Sequence, residues 1–307
     1  MACYSPLTAY KSYTKRTESG KALVEFRRAN TSPSTHEEIE LKCGQCIGCR
    51  IDQKAQWALR SLQEASLHLN NSFVTFTYND GNLPEGGALH KPDMQAFWKR
   101  LRKAIYPQKI RTLYCGEYGG ETFRPHYHAL VFGYNFPDKK IHRNPGPHAG
   151  YTSDLLKDLW PMGYTEVGEF NWESAQYCVG YVTKKMNGPL AEEKLARVDP
   201  DTGETWQVPN EFMHMSNRPG IGRKWIEKYI GDCYPKDFVT QNGRRFKVPK
   251  YYDAELEKQN REMFEQVKAK RQAEGRKTKG TEERTLRRLN VKRQCAQARD
   301  KRNVRGL

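Results

Sequence analysis

Residues 124–132, Arg-Pro-His-Tyr-His-Ala-Leu-Val-Phe, constrain this chain more than any other stretch, because the unbroken apolar run from Ala129 to Phe132 suits a buried central strand. In a strand, residues i and i+2 share a face, so His126 and His128 can both reach one metal ion from a rigid platform. Nine residues upstream of His126, across a turn at Gly119 and Gly120, Glu117 closes another strand-like run that begins at Arg111. It could supply a carboxylate from the neighbouring strand, with Glu121 as the competing candidate. Two imidazoles and a carboxylate leave coordination positions open for water or a phosphate oxygen, as a Lewis-acid site requires. Two half-buried histidines without a metal would account for His-x-His alone.

A second constellation lies in residues 171–185, Asn-Trp-Glu-Ser-Ala-Gln-Tyr-Cys-Val-Gly-Tyr-Val-Thr-Lys-Lys. An Asn N-cap and an acidic first turn predict a helix. Such a helix stacks Tyr177 and Tyr181 at i and i+4, with Lys184 and Lys185 close to the same face. Phenols beside ammonium groups can act as nucleophiles on a phosphate, the ammonium favouring the phenolate. The plain alternative is an amphipathic helix that packs its tyrosines. Gly180 costs such a helix about 1 kcal/mol relative to Ala without removing the i, i+4 geometry.

His126-Tyr127-His128 followed by Tyr177-x-x-x-Tyr181-x-x-Lys184-Lys185 resembles the two-tyrosine class of HUH endonucleases, which initiate rolling-circle replication. Further landmarks are similar to the replication initiators of gokushoviruses, small single-stranded DNA phages of the microvirus group. They are Cys43-Gly-Gln-Cys46-Ile-Gly-Cys49-Arg50, Phe73-Val-Thr-Phe-Thr-Tyr78, Phe97-Trp-Lys-Arg-Leu-Arg102, Cys115-Gly-Glu117-Tyr-Gly119 and Met215-Ser-x-x-Pro219-Gly-Ile-Gly222. They occur in the family's order over roughly residues 1–230. The resemblance implies an α+β fold with a central antiparallel sheet of about five strands that carries the His-x-His motif, flanked by helices. It implies a nicking domain over residues 1–250 and a basic helical or partly disordered tail over 251–307.

The same resemblance assigns roles. His126 and His128 match the metal-binding histidines, Glu117 sits where an acidic third ligand is placed, and Tyr177 and Tyr181 match the paired nucleophiles. Lys184 and Lys185 take the usual following position, and residues 73–78 match a strand beside the site with a structural task. The implied activity is metal-dependent nicking and joining of single-stranded DNA at the phage origin, through a 5′-phosphotyrosine and a free 3′-hydroxyl. Mg²⁺ or Mn²⁺ would serve, and imidazole ligands favour Mn²⁺ over Mg²⁺. Host DNA polymerase and helicase are the expected partners. An HUH transposase or plasmid initiator shares this chemistry, and a basic nucleic-acid-binding or packaging protein is the non-enzymatic rival.

Charge agrees with a polyanionic partner: the 307 residues carry a formal +16. Residues 254–307 contain 17 Lys or Arg against 8 Asp or Glu, hence +9, so DNA binding and a solvated arm are both open readings of the tail. A low mean hydropathy of −0.90 fits one modest core under a well-solvated surface. No run approaches the roughly 20 apolar residues of a membrane span and no signal peptide is expected, so the place of work is a host bacterial cytoplasm. In that reducing compartment eight cysteines favour thiols or metal over disulfides. Cys43, Cys46 and Cys49 form a C-x₂-C-x₂-C cluster, and Cys3 is a candidate fourth thiolate for structural Zn²⁺; reduced, partly buried thiols are the alternative. A ferredoxin run would need a further Cys three residues on, and none follows Cys49.

Short strands are expected over residues 22–27 and 39–42, and helices over 50–70 and from Pro92 to about Ile105. The tail should form a helix from Asp253 onward, break near 275–280 and resume over 282–299. Residues 135–150 read as a long exposed loop whose His142 and His148 face solvent. Residues 219–224, Pro-Gly-Ile-Gly-Arg-Lys, read either as a phosphate-binding turn or, more simply, as the loop before a helix at Trp225.

Overall fold

Polar strands open the chain before a heavily apolar sheet takes over. The computed structural model describes residues 3–27, 31–120, 122–143, 149–180, 193, 195–199 and 201–304. Strands β1 (Leu7–Arg16), β2 (Ala22–Glu25) and β3 (His36–Leu41) make an antiparallel sheet in the order β2-β1-β3. Helix α1 (Ile47–Ala65) follows. By contacts the chain divides into two units, residues 1–53 with 270–307 and residues 54–269.

The second unit is built on β4 (Asn71–Thr77), α2 (Lys91–Ala104), β5 (Arg111–Tyr118), β6 (Pro125–Phe132), β7 (Lys140–Arg143), β8 (Gly150–Thr152), α3 (Asp154–Leu159), β9 (Thr165–Gly168) and α4 (Trp172–Gly180). A hairpin of β10 (Ala196–Val198) and β11 (Thr205–Gln207) precedes β12 (Phe212–Met215). Seven of these strands form one antiparallel sheet in the order β12-β5-β6-β4-β9-β8-β7. The sequence led us to expect about five. The additional pair is the β7–β8 hairpin, which falls partly in the stretch read as a loop. All four residues of β7 are exposed, His142 among them, so no apolar face marks this strand in the sequence, while His148 lies outside the described residues.

Period-two alternation sorts the central strands into two faces. Val74 and Phe76 of β4, Tyr127, Ala129 and Val131 of β6 and Tyr114 of β5 point one way, where α2 and α3 cover them with Met94, Phe97, Trp98, Leu101 and Leu156. Each such fully buried side chain contributes about 1.5–3 kcal/mol by leaving water. Leu113, Cys115, Leu130 and Phe132 point the other way, against Ala58 and Ala65 of α1 and Ala175, Cys178 and Val179 of α4. His126, His128 and Glu117 lie on this second face.

A third apolar cluster joins Leu59 to the elements after β12: α5 (Arg223–Lys228), α6 (Ile230–Cys233), the hairpin β13 (Phe238–Gln241) and β14 (Arg244–Lys247), α7 (Lys250–Gln259) and α8 (Arg261–Thr278). The helix expected from Asp253 onward is thus interrupted at Asn260, whose Oδ1 accepts the Met263 N–H at 3.0 Å and caps α8. The expected break falls at Gly280, with φ +79°, and α9 (Leu286–Val304) completes the tail. Within the first unit, Arg284 pairs with Glu40 of β3.

Candidate functional site

Register brings the three ligand candidates together. Across the β5–β6 pair Glu117 lies directly opposite His126, and Cys115 opposite His128, so Glu117 is also the diagonal neighbour of His128 on the same face. Both imidazole Nε2 atoms lie 2.8 Å from Glu117 Oε1. The side chains of Glu117 and His128 are almost fully buried, whereas His126 keeps some access to solvent.

Hydrogen bonds on the far side of each ring set its chemistry. The backbone carbonyl of Arg124 can only accept, so His126 Nδ1–H donates to it at 3.0 Å and the lone pair of the neutral ring is on Nε2. His128 Nδ1 lies 3.1 Å from the Thr75 hydroxyl on β4, which leaves its Nε2 to serve as a ligand in the same way. Two lone pairs aimed at one carboxylate oxygen repel unless a cation lies among them. The second oxygen, Glu117 Oε2, is buried without a hydrogen-bond partner among the described residues. All three ligand atoms lie within 4.8 Å of one another, so this donor set fits a divalent ion.

Electrostatics follow the same geometry. Burial works to raise the Glu117 carboxyl, but hydrogen bonds and charge from both imidazoles outweigh it and hold the group below its ordinary value. His126 is desolvated too, yet the bond to Glu117 leaves its basicity raised. For the more deeply buried His128, desolvation wins and its basicity falls.

The tyrosine helix packs onto this centre. Asn171 caps α4 reciprocally: its Oδ1 accepts the Ser174 N–H at 2.8 Å, and the Ser174 hydroxyl accepts the Asn171 N–H at 2.9 Å. Ala175, Cys178 and Val179 anchor the helix to the sheet. Its register then sets the Tyr177 ring edge-on to His128, 4.9 Å between centroids, while Phe73 stacks on His128 at 5.6 Å. Tyr181, Lys184, Lys185 and the alternative carboxylate Glu121 lie outside the described residues.

Sequence reasoning missed several neighbours. Thr75 was readable from period-two alternation with Phe73, because it pairs with His128 across the β4–β6 register. Lys54 had no signal: it comes from α1, and a Cβ at Gly180 would meet its Nζ at 3.4 Å. The Gly-rich turn after β12 proves to be a clamp, not a phosphate site. The Gly222 N–H donates to Glu64 at 2.7 Å, and the Arg60 guanidinium donates to the Ile221 carbonyl at 2.8 Å.

Comparison with known proteins bears on the same segments. Residues 71–186, which span β4 to the tyrosine helix, match the family model for replication-associated proteins of the ORF2 family. The chain is 33% identical over 298 residues to replication-associated protein ORF2 of Spiroplasma virus 4, covering 91% of this chain and 88% of that protein. The chain belongs to the microvirus replication-associated proteins. A second family member, replication-associated protein VP4 of Bdellovibrio phage phiMH2K, is 31% identical over 74% of this chain and 71% of its own length. Replication-associated protein ORF4 of Chlamydia phage 1 is 27% identical over 71% of this chain and 54% of its own length. No solved structure matches the chain. Among the described residues of this replication-associated protein, no helix is long and apolar enough to cross a membrane.

Proposed function

We propose that this replication-associated protein nicks and rejoins single-stranded DNA at its phage origin as a metal-dependent HUH endonuclease. One observation carries the reading. A buried carboxylate meets two imidazole nitrogens at 2.8 Å, keeps its other oxygen unpartnered among the described residues, and has a tyrosine ring seated against one of those imidazoles.

His126, His128 and Glu117 hold Mg²⁺ or Mn²⁺ in this reading, and the mixed nitrogen and oxygen donor set favours Mn²⁺. The bound ion neutralises the scissile phosphate and stabilises the charge that builds up during in-line displacement. The chain's own groups do the rest. The Arg124 carbonyl and Thr75 fix the two imidazoles, and the α4 cap and apolar face fix the nucleophile's helix. The oxygen of Tyr177 or Tyr181 bonds to phosphorus as the bond from phosphorus to the 3′ oxygen breaks. The phenol loses its proton to solvent, and the departing oxygen takes one up as a 3′-hydroxyl. Lys184 and Lys185 hold the phosphate and favour the phenolate. The covalent bond conserves the phosphodiester's energy, so the strand can be rejoined, and host polymerase can extend the free 3′ end behind a helicase.

A cleft of about 1140 Å³ beside the centre, lined by Thr75, Thr77, Trp160 and Tyr164, offers a path for the strand. Tyr164 is 74% exposed and can stack on an unpaired base. The formal +16 of the chain supplies the general attraction for DNA.

An oligonucleotide carrying the phage origin, incubated with Mn²⁺ or Mg²⁺, tests the proposal. The expected result is a cleaved strand and a covalent adduct on the protein, lost in a Tyr177→Phe, Tyr181→Phe double variant. Retardation without cleavage would make the protein a binder, and an adduct that survives in the double variant would move the chemistry elsewhere.

A further inference from the structure

The first unit has almost no apolar interior. All three apolar clusters found among the described residues lie within residues 54–269. Among the described residues of the first unit, the buried apolar side chains are Cys3, Ala9, Cys49, Leu289 and Ala296. A unit that buries so little needs another source of stability, and small folds commonly obtain it from disulfides or a structural metal. Two of those five side chains are cysteines, and they meet two more.

The four sulfurs of Cys3, Cys43, Cys46 and Cys49 lie within 4.8 Å of one another. Cys3 Sγ is 3.7 Å from Cys43 Sγ and 3.9 Å from Cys46 Sγ. A disulfide would bring a pair to about 2.0 Å. A tetrahedral Zn²⁺ with bonds of about 2.3 Å instead sets its sulfurs about 3.8 Å apart. The observed separations agree with the second arrangement. Backbone donors surround the sulfurs as a thiolate cluster requires: the Tyr4 N–H donates to Cys46 Sγ at 3.2 Å, Cys46 N–H to Cys43 Sγ at 3.3 Å, and Cys43 N–H to Cys3 Sγ at 3.4 Å. Such bonds stabilise the charged form of sulfur. Gly44, with φ +77°, supplies the left-handed residue that lets the chain turn back between Cys43 and Cys46.

We propose that Cys3, Cys43, Cys46 and Cys49 bind one Zn²⁺ as a tetrathiolate that ties the segment before β1 to the β3–α1 connection and holds the first unit folded. Each thiol gives up its proton as its bond to zinc forms, with no redox change. The ion closes the 40-residue separation between Cys3 and Cys43 in sequence. Its role is structural and independent of the His/Glu centre.

Elemental analysis and zinc-edge X-ray absorption on the full chain, purified without added chelator, test this. The expected result is one zinc per chain in a shell of four sulfurs at about 2.3 Å. A Cys43→Ser, Cys46→Ser variant should drop to near-zero zinc, whereas His126→Ala, His128→Ala should keep its full complement. Should the cysteine variant fail to fold, absorption on the unaltered chain decides alone. A nitrogen and oxygen shell, iron in place of zinc, or four freely titrating thiols with no bound metal would overturn the proposal.

Discussion

Glu64 and Glu117 are both buried carboxylates of the second unit, their side chains each 1% exposed, and their surroundings differ in one decisive respect. Glu64 is satisfied on both oxygens by permanent donors: the Arg111 guanidinium on Oε1 and the Gly222 N–H on Oε2. Glu117 meets two imidazoles, which donate when protonated and are metal ligands when not, and its second oxygen has no partner among the described residues. A guanidinium cannot give up its proton, so Glu64 serves as a fixed staple between α1, β5 and the turn before α5. An unsatisfied oxygen beside two nitrogen lone pairs is instead the arrangement that a cation completes.

If that contrast holds, the two carboxylates respond in opposite ways to the same substitution. Glu117→Gln should lower adduct formation by about 10²- to 10³-fold or more while thermal unfolding changes little. Glu64→Gln should leave nicking per folded molecule near wild type and cost about 3–5 kcal/mol in urea unfolding, because Arg111 loses its buried counter-charge. Equal loss of activity from both variants at unchanged stability would erase the distinction. A smaller effect is expected at Thr75→Val, which keeps the β-branched shape of the strand and removes the partner of His128 Nδ1. Metal affinity should weaken by about 10- to 100-fold, read by Mn²⁺ titration, and full affinity would show that the hydroxyl does not orient the ring.

Acid gives the smallest effect and the finest test. Burial opposes ionisation of Glu64, but His68, Gly222 and Arg111 outweigh it and hold the carboxyl below its ordinary value. A carboxylate depressed in the folded state contributes stability above its unfolded value of about 4.3, and that contribution disappears as pH falls through the lower folded value. The urea midpoint of wild type should therefore converge on that of Glu64→Gln as pH falls from about 5 toward 3. A constant gap would mean that the carboxylate's charge is not what Arg111 needs.

Local pattern carried much of this structure. His126 and His128 share a face because strands alternate, and Glu117 reaches them because β5 and β6 pair with the register that the Gly119–Gly120 turn allows. Asn171 was readable as a cap and is one. The β7–β8 hairpin was not legible, because a strand exposed along its whole length leaves no alternation to read. Asn260 looked like one more polar residue in a helical stretch, although its side chain ends one helix and starts the next. Residues 219–222 were ambiguous for a different reason. Whether a glycine amide binds phosphate or a carboxylate depends on Glu64, 158 residues away in sequence. Long-range contacts of this kind leave no local signature.

Mn²⁺ binding by calorimetry, on wild type and on Glu117→Gln, addresses the central claim most directly. The account predicts one site on the wild-type chain that disappears in the variant while circular dichroism stays unchanged. Equal Mn²⁺ binding by the two proteins would contradict it.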